Sequence, residues 1–236
     1  HFRKESGSTM DGEMISKILS IILLDIVLSG DNAVVIALAC RKLAPEQRKK
    51  AILFGTMGAV VLRIVLTVVA VWILGIPFVK FIGGLLLLYI AWDLLKSGDE
   101  DPDIKGNTGL MPAIRTIIVA DFVMSLDNVL AIAGVANGHV GLAALGLVIS
   151  IPIIIFGSQI IMKLMEKLPI LVWIGALLIA YTAGEMMVSD KYGHKYLVDA
   201  LFPQMDWIIP ILMMVILIAL GLWAKARQTR RMTSNS

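Results

Sequence analysis

Seven runs of apolar residues punctuate the chain, near residues 14–40, 51–75, 78–96, 112–136, 141–163, 168–188 and 207–224. Each is close to the roughly 20 residues that a helix needs to cross about 30 Å of hydrocarbon. Polar stretches at 41–50, 97–111 and 189–206 separate them, as do two short breaks, Gly75, Ile76, Pro77 and Asn137, Gly138, His139. Both breaks read as tight turns, because Gly, Pro and Asn interrupt helices. The pattern predicts an all-α, polytopic helical membrane protein with seven transmembrane helices. The first run is too long for a cleavable signal core and contains Asp25, Asp31 and Asn32, so it reads as a retained span. Residues 1–13 are set apart as a tail left by expression or processing, with Met10 as the natural start.

Composition agrees with the pattern. With 58% hydrophobic and 17% charged residues among 236, and a mean hydropathy of +0.86, the chain is too apolar for a soluble globule. A single cysteine, Cys40, excludes a disulfide framework and a thiolate metal cluster, and is read as a small apolar filler. The pI of about 9.0 reflects bases at span ends rather than a patch, so nucleic acid binding has no support. If 41–50 is cytoplasmic, that side carries fourteen Lys and Arg against six on the other, among them Lys80. The count predicts an outside amino terminus, an outer loop at 189–206 and a basic cytoplasmic tail at 225–236. Asp99, Glu100, Asp101 and Asp103 make the 97–111 linker a solvated acidic loop.

A repeat underlies the spans. DIVLSGDN at 25–32 and DFVMSLDN at 121–128 align Asp25, Ser29, Asp31 and Asn32 with Asp121, Ser125, Asp127 and Asn128 at a shift of 96. A shift of 92 aligns Pro77, Gly83, Tyr89 and Asp93 with Pro169, Gly175, Tyr181 and Glu185. Each copy, 14–96 and 112–188, then holds three spans, and an odd number inserts the second copy in the opposite sense, leaving 207–224 as a seventh helix. Inverted repeats are the architecture of many secondary transporters, with the substrate held near the midplane where the halves meet.

The charges inside the spans point the same way. Asp25, Asp31, Asp93, Asp121, Asp127 and Glu185 lie in otherwise apolar segments, and Arg63 is the one base expected at mid-span. A carboxylate at the bilayer centre costs at least about 2.5–3.5 kcal/mol, so six against one imply a cation or proton pathway more than interhelical glue. Asp93 and Glu185 sit near span ends, where water can reach them. Arg63 is read as a fixed counter-charge for the empty site, or as a tether for Asp93 or a backbone carbonyl. At about 100° per residue, Asp25, Ser29 and Asn32 share one helix face, as do Asp121, Ser125 and Asn128. Asp31 falls roughly 120° from Asp25, and a distortion at Gly30 would bring it round. Leu126 occupies that position in the second copy.

Carboxylate, amide, hydroxyl and backbone oxygens are hard ligands that suit Mg²⁺, Ca²⁺ or Mn²⁺ and select poorly for zinc or copper. His139 and His194 lack ligand-spaced partners and read as surface residues. Enzyme function is not expected, since no nucleophile or His base accompanies the carboxylates. Glycines 55, 58, 83, 84 and 175 read as close-packing points between helices, and most tryptophans as interface anchors.

The two helices containing Ser29, Gly30, Asp31, Asn32 and Ser125, Leu126, Asp127, Asn128, each with Asp four residues before the serine, resemble the TerC family of integral membrane proteins. The likeness covers about residues 14–224. That family is named for tellurium resistance and includes bacterial manganese exporters. The resemblance implies Mn²⁺ efflux through the bacterial plasma membrane, with no permanent cofactor and with Asp25, Asp31, Asn32, Asp121, Asp127 and Asn128 at the presumed metal positions. Asp31 and Asp127 would be primary ligands, Asn32 and Asn128 neutral ones, and Asp25 and Asp121 ligands or proton acceptors, with Ser29, Ser125, Asp93, Glu185 and Arg63 in secondary roles. Ca²⁺ as substrate, proton-coupled cation transport, and a non-transporting scaffold for metal or tellurite stress stay open beside it.

Overall fold

A computed structural model describes residues 2–96, 109–136, 139–199 and 202–234. Among these residues there is no strand. The helices are α1 (Phe2–Leu28), α2 (Gly30–Cys40), α3 (Pro45–Leu74), α4 (Val79–Lys96), α5 (Leu110–Ala136), α6 (Val140–Lys167), α7 (Ile170–Ser189), the short α8 (Lys191–His194) and α9 (Met205–Ser234). A helical segment stands at each of the seven expected positions. Five, α3, α5, α6, α7 and α9, are long and apolar enough to cross a membrane alone, and α1 with α2 forms a sixth span bent by 51°. α4 falls short of that standard because Lys80, Asp93 and Lys96 all lie within its 18 residues.

Three boundaries differ from expectation. α1 starts at Phe2, inside the stretch set apart as a tail, where no proline interrupts the helix. The 189–206 segment holds α8 and a π-helical turn, Lys195–Asp199, rather than only loop. Asp190 starts α8 by accepting from the backbone N–H groups of Tyr192 and Gly193, both at 2.9 Å. α9 continues through the basic tail to Ser234, since Ala, Lys, Arg and Gln favour helix. The acidic residues Asp99, Glu100, Asp101 and Asp103 lie outside the described residues.

α3 shows how a span divides its faces. Leu53, Met57, Val61, Val65, Val68 and Trp72 follow steps of three and four and are exposed, forming the apolar surface a bilayer would cover. Ile52, Thr56, Ala59, Arg63, Leu66 and Ala70 follow the same steps on the opposite face and are buried. α3 packs along α5, while α6 packs on α1 and α2; α4 packs along α7, and α7 along α9. Glycines set these approaches as expected. A Cβ on Gly58 would stand 2.6 Å from Ile118 Cδ1, and one on Gly84 2.5 Å from the Ala183 carbonyl oxygen. Phe78, at φ 60°, closes the α3–α4 turn and packs its ring on Tyr192 and Tyr196.

Candidate functional site

The α1–α2 break falls at Ser29, one residue before the glycine expected to cause it. Gly30 is the first residue of α2, and a Cβ there would meet nothing, so packing does not demand glycine at that position. The break leaves carbonyls at the end of α1 without helical partners. One of them, Leu28 O, accepts from Asn128 Nδ2 of α5 at 3.1 Å. On the other side of the break, Asp31 Oδ1 accepts from the Asn32 backbone N–H at 2.9 Å, at the positive end of α2. α5 carries the second motif without interruption.

Arg63 stands between the two motifs with its guanidinium shared almost symmetrically. Nη1 pairs with Asp25 and donates to Ser29 Oγ at 3.0 Å. Nη2 pairs with Asp121, and Nε donates to Ser125 Oγ at 2.9 Å. Each serine in turn donates to the aspartate one turn before it, Ser29 to Asp25 at 3.1 Å and Ser125 to Asp121 at 3.3 Å. The cradle is therefore an Asp–Ser pair from each motif closing on one base. Asn32 Nδ2 ties the motifs directly, donating to Asp121 Oδ1 at 2.8 Å. Ser150 of α6 donates to the second oxygen of Asp25. Arg63 is 2% exposed and Asp25 1%, so both charges sit in the dry centre of the bundle, where each depends on the other.

The motif residues thus separate into groups. Asp25, Ser29, Asp121 and Ser125 converge on Arg63, whose ion pairs are with Asp25 and Asp121 rather than Asp93, and Asn32 joins them through Asp121. Asp31 faces the helix break. Asp127 pairs with Lys80 near the start of α4, and both are partly exposed. Among the described residues, no three Asp, Glu, His or Cys side chains converge to hold a metal ion. Asp93 lines a separate cavity of about 330 Å³ with Arg41, Lys42 and Arg115, open at the α2, α4 and α5 end. Glu185 is exposed on α7. His194 lies beside Asp199 and Asp206, at 3.3 and 3.6 Å.

Two partners escaped the sequence reading. Lys80, counted with the bases of the outer side, pairs with the motif carboxylate Asp127, and its place inside the predicted 78–96 segment is the signal that could have shown it. Ser150 is a lone hydroxyl in an apolar run two residues before Pro152, and nothing in its spacing linked it to Asp25.

Residues 10–229 match the Integral membrane protein TerC family. The chain belongs to the TerC family. Membrane protein YjbE of Bacillus subtilis is 48% identical over 182 residues, covering 77% of this chain and 84% of that protein. Membrane protein YkoY of the same organism is 28% identical over 210 residues, spanning 75% of this chain and 64% of YkoY. Inner membrane protein YoaE of Escherichia coli K12 is 27% identical over 204 residues, and the match spans 39% of its length. No solved structure matches. This TerC protein is an integral, multi-pass membrane protein with bacterial relatives, in keeping with an inner-membrane location and with membrane transport or metal and tellurite resistance.

Proposed function

We propose that the chain is a secondary transporter that exports a divalent metal, Mn²⁺, from the cytoplasm through the polar centre between its two motifs. The observation that carries the reading is Arg63, clasped by one Asp–Ser pair from each motif. A membrane protein that needed only helix cohesion has no use for two buried carboxylates and a base at its centre, since apolar packing serves as well or better. The guanidinium is the cation that balances the empty site, and a divalent ion balances the same carboxylates in its place. The ligands available are all oxygens, which suits Mn²⁺ and leaves Ca²⁺ as the nearest competitor.

The helix packing supports alternating access. Exchanging α1 and α2 with α5, α3 with α6, and α4 with α7 turns the α3–α5 contact into the contact of α6 with α1 and α2, and maps the α4–α7 contact onto itself. That is the relation two inverted three-helix repeats would produce. The excess of bases in alternate connections supports an outside amino terminus and a cytoplasmic carboxyl terminus.

The test is metal flux in proteoliposomes for Mn²⁺, Ca²⁺, Mg²⁺ and Zn²⁺, with the parent chain beside Asp121→Asn and the double variant Asp31→Asn, Asp127→Asn. Mn²⁺ flux in the parent that is lost in the variants supports the exporter. Inserted, folded parent protein without flux for any metal, or variants that transport as the parent does, would remove it.

A further inference from the structure

The cavity of about 330 Å³ at the α2, α4 and α5 end lies where two helices stop, α2 at Cys40 and α4 at Lys96, and α5 starts at Leu110. Its volume is that of a small-molecule site. Arg41, Lys42 and Arg115 line it against the single carboxylate of Asp93, so the lining carries a formal charge of +2. The start of α5 adds the positive end of a helix dipole to the same space. A wall of this sign repels metal cations and attracts anions. Arg41 is fixed in place, since its Nη2 donates to the Leu94 carbonyl at 2.9 Å on the last turn of α4, and Leu94 is itself part of the wall.

We propose that this cavity binds the phosphate of an anionic phospholipid, with the headgroup among Arg41, Lys42 and Arg115 and an acyl chain lying along α4. Guanidinium and ammonium groups are the usual partners of phosphate oxygens, and basic pockets between spans at the membrane surface recognise lipid headgroups. The hydroxyl of Thr116, also in the wall, supplies a neutral donor. Depth separates a lipid from a soluble phosphate. The cavity reaches down to Tyr89, seven residues and about 10 Å below the end of α4. Tyr89 is 57% exposed and stands on one helix face with Leu86, Leu85 and Ile82, all exposed, so the pocket continues onto an apolar strip turned to the bilayer. A phosphate with no apolar tail leaves that strip unused. The site stands apart from the polar centre around Arg63, and a lipid binds here whether or not that centre carries a metal.

The full chain in mild detergent is titrated with phosphatidylglycerol, phosphatidylcholine, glycerol 3-phosphate and inorganic phosphate, and bound ligand is counted by native mass spectrometry. Phosphatidylglycerol is expected to saturate one site about tenfold or more tighter than phosphatidylcholine, which has the same chains and no net charge. Lys42→Gln, Arg115→Gln removes two exposed bases of the wall and should weaken phosphatidylglycerol by about tenfold or more. Lys163→Gln, Lys167→Gln removes two exposed bases of α6 that lie outside the wall and should bind as the parent does. Asp93→Asn raises the charge of the wall and should bind the lipid at least as tightly as the parent, a gain that mere damage to the fold would not produce. Equal binding of the two lipids, or equal loss in the two double variants, would overturn the site in favour of diffuse attraction. Glycerol 3-phosphate or inorganic phosphate binding as tightly as the lipid would overturn the lipid as occupant. Weaker binding in Asp93→Asn would refute the charge argument. Lipid binding that appears only once Asp99, Glu100, Asp101 and Asp103 are changed to amides would give these bases to the acidic linker instead.

Discussion

Removing the Arg63 charge should be among the most damaging single changes in the bundle. In Arg63→Met the side-chain volume is roughly kept, but Asp25 and Asp121 lose their shared cation. Asp25 is 1% exposed and the Asp121 side chain 11%, so water replaces little of what is lost. Breaking a buried pair in this way costs about 3–5 kcal/mol. For a chain of this size each kcal/mol moves the melting temperature by about 2–4 °C, which gives a drop of about 6–20 °C. The triple variant Arg63→Met, Asp25→Asn, Asp121→Asn should recover most of that drop. Its neutral amides can still bond Ser29, Ser125 and Ser150, and no charge is left unpaired. The assay is thermal unfolding in detergent followed by intrinsic tryptophan fluorescence, with size-exclusion chromatography to establish folding at the start. A shift below about 2 °C for Arg63→Met, or a triple variant no more stable than it, would refute the argument that these charges depend on each other.

Lys80→Met provides the contrast, because the Lys80 and Asp127 side chains are 19% and 33% exposed and solvent screens them. Its cost should stay within about 1 kcal/mol, a melting shift under about 4 °C, and a loss as large as that of Arg63→Met would contradict the assignment. Gly184→Ala would drive a Cβ to 2.4 Å from Pro210 Cα on α9, backbone that cannot swing aside, and should destabilise by about 1–3 kcal/mol in the same melt. Gly141→Ala, whose Cβ meets nothing within 4 Å, should leave stability level or slightly raised.

Hydropathy alone placed a helix at all seven positions, because spans are long and must satisfy their backbone internally. The grouping of Asp25, Ser29 and Asn32 was legible from residue spacing, and all three are buried although a break at Ser29 divides them between α1 and α2. What spacing could not reveal was which charge meets which. Arg63 lies 38 residues from Asp25 and 58 from Asp121, and the packing of both α1 and α3 on α5 brings the three together. The Lys80–Asp127 pair was hidden for a related reason: a long side chain near a helix end can reach inward as readily as outward. The position of the helix break also escaped, since glycine suggests freedom while the chain yields at Ser29.

The two asparagines reach across the break in opposite directions: Asn32 gives its amide to Asp121 of the second motif, and Asn128 gives its amide to Leu28 beside the first. They form a reciprocal latch, so that any sliding or rotation of α5 against α1 and α2 must undo both bonds in one movement. A net gain of about 1.5–3 kcal/mol for the bond to the Asp121 carboxylate and about 0.5–1.5 kcal/mol for the neutral one to Leu28 makes the latch a few kcal/mol deep. That depth holds one arrangement dominant while leaving the unlatched one at a level of about 0.1–10%, well within the reach of an ion that favours it. Losing either asparagine should therefore loosen the other's grip as well. The double Asn32→Ala, Asn128→Ala variant should then be more stable than the sum of its single losses implies, and strict additivity would mean that the two bonds open independently.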